Sequence, residues 1–131
     1  MIRVIELPQI RDPRGALSVI ESGEHVEWEI RRVYYLYDVP GGAIRAGHAH
    51  RDLRQLLIAV SGSFDVLVDD GNRREVVTLN RSYVALEISP MVWREISNFS
   101  SGAVCLALAS IPYSEADYIR DYEDFQRMVV S

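Results

Sequence analysis

Phe64-Asp65-Val66-Leu67-Val68 and Val76-Val77-Thr78-Leu79 are two β-type runs joined across Asp70-Gly71-Asn72. An Asp-Gly pair between such runs is a strong hairpin signal, because glycine takes the positive φ that a tight turn demands. The same alternation of short runs and turn residues extends in both directions. Candidate strands cover 2–7, 16–20, 30–38, 45–50, 55–60, 63–69, 73–79, 83–88, 92–99 and 103–109. Asp12-Pro13-Arg14-Gly15, Pro40-Gly41-Gly42, Ser61-Gly62 and Ser89-Pro90 punctuate them. These residues supply positive or preset φ at turns. Short strands repeated at this spacing predict an antiparallel sandwich or barrel and argue against alternating βαβ units.

The pattern changes after Pro112. Ser114 is placed to cap a helix, with Glu115 and Asp117 in the first turn, where acidic groups complement the dipole. Tyr118, Ile119, Tyr122, Phe125, Met128 and Val129 then recur at three- and four-residue spacing, predicting a C-terminal helix with one apolar stripe. No repeat, low-complexity segment or linker interrupts the chain. It reads as a single domain over 1–131.

Composition removes several chemistries. Of the 131 residues, 14 are basic and 19 acidic, a net charge of −5, and every basic residue is arginine. Without lysine there is no imine catalysis, no pyridoxal phosphate linkage and no Gly-Lys phosphate loop. A mildly acidic chain with scattered arginines lacks the basic face of a duplex nucleic-acid binder. Cys105 is alone in an apolar run, so it reads as a buried, inert thiol, without disulfide or zinc cluster. The N-terminus lacks the apolar core of a signal peptide, and no apolar run approaches the ~20 residues that span a bilayer. The expectation is a cytoplasmic protein with no membrane or nucleic-acid partner.

The segment that carries chemistry is Gly42-Ala43-Ile44-Arg45-Ala46-Gly47-His48-Ala49-His50, followed by Arg51-Asp52-Leu53-Arg54-Gln55. Residues two apart on a strand share a face, so His48 and His50 project together. Two imidazoles on one interior face can bind a metal or move protons.

Gly42, His48, His50 and Gly62 fall on the first motif of the cupins, and Pro90 with Asn98 on part of the second. The resemblance implies a small cupin-type (jelly-roll) antiparallel β-barrel, all-β apart from the helix. Two departures matter. Gln55 stands where the motif has an acid, and Arg94 where it has a histidine. A neutral amide and a permanent cation without a lone pair make a poor ligand set, so no metal is expected. What remains suits proton transfer on an anionic substrate: neutral imidazoles as bases, and arginines that grip phosphate bidentately. Arg14, Arg45 and Arg94 are the candidate anchors.

A closer resemblance spans nearly the whole chain. Asp12-Pro13-Arg14-Gly15-Ala16-Leu17, Arg32-Val33-Tyr34-Tyr35-Leu36-Tyr37-Asp38, Arg45-Ala46-Gly47-His48-Ala49-His50, Asp69-Asp70-Gly71-Asn72, Pro90-Met91-Val92-Trp93 and Asp117-Tyr118-Ile119-Arg120 resemble the dTDP-4-keto-6-deoxyglucose 3,4-ketoisomerases, the WxcM-like sugar isomerases. The resemblance implies a homodimer with exchanged N-terminal strands and no cofactor. It implies a dTDP-linked 4-keto-6-deoxyhexose as substrate, and transfer of the keto group from C4 to C3 through an enediol. By position, His48 and His50 match the catalytic pair, and Arg14, Tyr35 and Arg45 match positions near the substrate. His48 is provisionally the base; which histidine removes the proton and which relays it stays open. A 3,5-epimerase, a metal-dependent cupin and a non-catalytic sugar-nucleotide-binding module are the competing readings.

Overall fold

The computed structural model describes residues 1–130. In chain order the strands are β1 (Ile2–Glu6), β2 (Ile10–Asp12), β3 (Gly15–Leu17), β4 (Arg32–Leu36), β5 (Arg45–His50), β6 (Gln55–Ser61), β7 (Phe64–Asp69), β8 (Arg74–Leu79), β9 (Val84–Ile88), β10 (Trp93–Ser97), β11 (Val104–Ala109) and β12 (Tyr118–Ile119). Helix α1 (Tyr122–Val129) closes the described chain. Two five-stranded antiparallel sheets, β1-β9-β6-β11-β4 and β12-β5-β10-β7-β8, face one another in the expected small β-barrel. The β2–β3 hairpin forms a separate two-stranded sheet.

The Asp70-Gly71 signal is realised as the β7–β8 hairpin, which pairs Asp69 with Arg74 across the turn. Inside the turn the Asp70 carboxylate accepts from the amides of Asn72 and Arg73. Between the sheets lie Leu57, Phe64, Val66, Val68, Leu86, Ile88, Cys105 and Ala107. Each fully buried large side chain here stabilises the fold by about 1.5–3 kcal/mol relative to exposure. Cys105 is fully buried and its thiol is pushed up to about 12, which makes it an inert core residue. On β6 even the alternate residues are covered. Leu56 and Ile58 face a second cluster with Leu7, Val26 and Trp28, formed by the segment that wraps across the outside of the sheet.

The C-terminal expectation needs correction. Ser114 precedes only a short 3₁₀ turn, Glu115–Asp117, and its side chain makes no cap hydrogen bond. Helix α1 starts at Tyr122, capped by Asp121, whose carboxylate accepts from the Asp124 amide. Tyr118 and Ile119 are extended because they pair with His50 and Ala49 at the edge of β5. Sheet pairing overrides the helical periodicity over those residues. The later part of the stripe behaves as predicted, since Tyr122, Phe125, Met128 and Val129 pack with Ala49, Trp93 and Ile119 outside the second sheet.

Candidate active site

Strand β5 carries the histidine pair and is irregular where it does so. Ala46 and Gly47 take φ of 66° and 73°, and the β10–β5 register shifts between Arg94 and Glu95. Such a bulge bends a strand and re-aims its side chains. Beyond it, alternation holds. His48 and His50 turn into the barrel, and Ala49 packs outward beneath α1. Their rings meet edge to face, 4.8 Å between centroids. Tyr118, brought in by the β12 pairing, lies 4.8 Å from His48 and 4.5 Å from His50.

His48 lines a cavity of about 340 Å³ at the barrel mouth, together with Tyr34, Gln55 and Tyr118. Three guanidinium groups, Arg32, Arg45 and Arg120, line the same cavity. Arg32 stacks between two rings, 4.6 Å over Tyr34 and 5.2 Å from Tyr113, and its buried Nη1 has no hydrogen-bond partner among the described residues. Arg120 lies 4.2 Å over Tyr118 and is paired with Glu115. A cleft with aromatic walls and three cations selects an anionic ligand.

His50 sits deeper, 1% exposed, with Nδ1 2.9 Å from the Asp117 carboxylate. A carboxylate only accepts, so Nδ1 bears the proton and Nε2 carries the free lone pair. Asp117 is itself fixed by the Asp52 amide at 2.7 Å. Burial and the nearby Arg94 cation lower both imidazole pKa values, that of His48 to about 3. Both rings are therefore neutral at physiological pH.

Arg94 is fully buried behind the pair. Its Nη1 donates to Gln55 Oε1 at 2.9 Å, and Nε and Nη2 donate to the Val92 carbonyl. The cupin architecture raises the question of a metal, and these donors do not fit one. The Gln55 oxygen is engaged by a cation, and Arg94 stands beside His48 in the β10–β5 register. Among the described residues no three His, Cys, Asp or Glu side chains are grouped to hold an ion.

The family model described as WxcM-like, C-terminal (FdtA) matches residues 1–130. The chain belongs to this family. Among WxcM-like relatives, the TDP-4-oxo-6-deoxy-alpha-D-glucose-3,4-oxoisomerase of Aneurinibacillus thermoaerophilus is 42% identical over 127 residues, 97% of this chain and 91% of that protein. The crystal structure of a 3,4-ketoisomerase from Helicobacter canadensis superposes with a TM-score of 0.96 at 40% identity, covering 99% of this chain and 98% of the other. A variant of the 3,4-ketoisomerase QdtA from Thermoanaerobacterium thermosaccharolyticum, crystallised with TDP-4-keto-6-deoxyglucose, gives 0.95 at 35% identity, covering 98% and 93%.

Against this WxcM-like frame, the residues singled out in the sequence separate into groups. His48 and Arg45 share the cavity, and His50 lies directly behind His48. Arg94 approaches the site from below the cavity wall and is no surface anchor. Tyr35 is 59% exposed and points out of the barrel, because its neighbour Tyr34 takes the inward position on β4. Arg14 rides on the β2–β3 hairpin, paired with Asp12 at 2.6 Å and outside the cavity of its own chain. Sequence reasoning passed over Arg32, Tyr34, Asp117, Tyr118 and Arg120. All five lie in segments already quoted for the family resemblance, and strand parity at Arg32-Val33-Tyr34 would have separated inward from outward residues.

Proposed function

We propose that this chain moves the carbonyl of a TDP-linked 4-keto-6-deoxyhexose from C4 to C3 by histidine-mediated proton transfer. The observation that carries this reading is the neutral His48–His50 pair, backed by Asp117, beside a cavity lined by three arginines. The arginines bind the diphosphate and hold the sugar in register, an orientation effect worth several kcal/mol in favourable cases. The C4 carbonyl acidifies the C3–H bond. His48 takes that proton, the C3–C4 enediolate forms, and charge moves onto the C4 oxygen. Passage of the C3 hydroxyl proton to the C4 oxygen and protonation of the C4 carbon then leave a C3 carbonyl and a C4 hydroxyl. Atoms and electrons balance within the sugar, so no redox cofactor is required. His50 relays protons behind His48. A histidine with a depressed pKa is a weak base in the empty site. The diphosphate and the developing enediolate raise it as the cavity fills.

The working unit in this reading is a homodimer, and a nucleotide-activated substrate places it in the cytoplasm. Among the described residues no helix is long and apolar enough to cross a membrane. Edge strand β4 and the residue beyond it expose Val33, Tyr35 and Tyr37 along one face. Among the described residues the β2–β3 hairpin pairs with no other strand, and it exposes Ile10 and Leu17. An isolated hairpin is marginal in water, which supports its covering by a second copy. Exchange of the N-terminal segments would place Arg14 in that interface.

The test is incubation with TDP-4-keto-6-deoxyglucose in deuterated water, followed by NMR. The expected product is the 3-keto isomer with deuterium at C4 and none at C5. Absence of isomerisation, or full activity in a His48→Asn, His50→Asn double variant, would reject the reading.

A further inference from the structure

Glu115 opens the 3₁₀ turn that precedes β12, and Arg120 directly follows that strand. The two side chains meet at the cavity rim. Arg120 Nε donates to Oε1 at 2.6 Å and Nη2 donates to Oε2 at 2.9 Å, the fork-to-fork geometry of a specific pair. The Tyr113 hydroxyl also donates to Oε2. Its ring is braced in turn, 5.6 Å from Tyr118 and 5.2 Å from the Arg32 guanidinium. Both carboxylate oxygens are thus occupied, and the Arg120 guanidinium holds the acid down to about 2, so the pair stays ionised throughout the physiological range. Arg120 lines the cavity and lies 4.2 Å over Tyr118, whereas Glu115 does not line it. The fork engages Nε and Nη2 and leaves Nη1 outside it.

Stability does not account for this arrangement. Arg120 and Glu115 are 52% and 58% exposed, and an ion pair so open to solvent adds little to folding. A carboxylate beside a cavity that selects anions also repels the ligand. What it can supply in return is order. A free arginine loses rotamer freedom when it grips a phosphate, and ordering one such side chain costs about two- to tenfold in affinity. From this geometry we infer that Glu115 is a positioning residue, braced by Tyr113, that fixes Arg120 over Tyr118 in the orientation that receives the substrate diphosphate before the ligand arrives.

The inference rests on the proposed binding of a TDP-sugar in this cavity. Calorimetric titration with TDP tests it in Glu115→Gln, Arg120→Gln and the double variant beside the wild type. Glutamine keeps the size of Glu115, but its NH₂ cannot accept from a guanidinium, so the fork is lost. The sign of the effect is diagnostic. Were Glu115 only a negative charge near an anion site, its removal would tighten TDP. Loss of a fixed Arg120 predicts the opposite, a Kd weaker by about fivefold. KM for the TDP-sugar should rise by the same factor with kcat close to wild type, the pattern of a group that acts on binding alone. The melting temperature should stay close to wild type. Arg120→Gln alone should weaken TDP at least as much, and in that background Glu115→Gln should leave the affinity unchanged or raise it, because only the repelling charge is then removed. Overturning results are a Glu115→Gln variant that binds TDP as tightly as wild type or more so, an equal loss in both backgrounds, or a melting temperature that falls together with the affinity. A wild-type protein that does not bind TDP would instead reject the functional reading beneath the inference.

Discussion

Asp117 holds His50 from the rear: its Oδ2 lies 2.9 Å from His50 Nδ1, and its Oδ1 accepts from the Asp52 amide at 2.7 Å. The two contacts divide the carboxylate between orienting an imidazole and anchoring the turn after β5. Asp117→Asn discriminates between these tasks. The asparagine oxygen satisfies the Asp52 amide, which leaves its NH₂ facing Nδ1. Nδ1 must then accept, and the proton moves to Nε2, which removes the lone pair through which His50 relays protons. The expected loss in kcat is about 10²–10⁴, the usual range for a disabled proton-transfer group. Steady-state kinetics should show KM little changed, and the fold should survive. Wild-type kcat in this variant would reduce Asp117 to an anchor.

The buried imidazoles make stability depend on pH in a definite direction. Burial and Arg94 place the folded-state pKa values of His48 and His50 below the ordinary 6.5. In the window beneath 6.5 the unfolded chain binds more protons than the folded one, so stability falls as pH is lowered through it. The contribution is fully present above that value. Urea midpoints should decline from pH 7.5 to pH 5, and less steeply in a His48→Asn, His50→Asn variant. Arg94→Met removes the cation that helps depress both histidines. NMR titration of that variant should show both imidazole pKa values raised relative to wild type, and unmoved values would refute the electrostatic role given to Arg94.

How far the sequence reveals this molecule depends on the range of the interactions involved. The β7–β8 hairpin, the inward His48–His50 pair and the buried Cys105 rest on local turn chemistry and period-two alternation, and all were readable. The Ser114 cap misled because a cap signal is also local, whereas the conformation of Tyr118 and Ile119 is set by pairing with β5, about 70 residues earlier in the chain. The same pairing delivers Asp117 to His50 and Tyr118 to both rings. No local rule exposes that triad. The motif marks the segment that holds both Tyr34 and Tyr35, and only strand parity says which of the two faces the cavity.

The outward Tyr35 has a consequence of its own. With Val33 and Tyr37 it forms an apolar strip along and just beyond the edge strand β4, and its ring lies 5.7 Å from that of Tyr37. If this strip joins two copies, Tyr35→Asp places a charge in the interface and separates them. Sedimentation should give a dimer for wild type and a monomer for the variant at micromolar concentration, with the secondary structure retained. A variant as dimeric as wild type would exclude this face from the interface.

Gly62 and Gly102 allow a steric contribution to be isolated from a backbone one. Both take positive φ, 67° and 74°. Placing alanine at such an angle costs about 1–2 kcal/mol. At Gly102 an added Cβ meets nothing within 4 Å, so Gly102→Ala should cost little beyond that amount. At Gly62 the new atom would stand 2.5 Å from Ser100 Oγ and 2.8 Å from Ala103 Cα. The Ser100 hydroxyl accepts from the Ser63 amide, and the Ala103 contact is backbone, so neither neighbour can withdraw freely. Gly62→Ala should therefore cost about 3–4 kcal/mol, within the range of strained or overpacked sites. Denaturant unfolding of the two variants measures the difference, which is expected to be at least about 1.5 kcal/mol on the overpacking scale. Equal losses would mean that the loop carrying Ser100 and Ala103 yields to the methyl group, and that the glycine in this motif position serves backbone conformation alone.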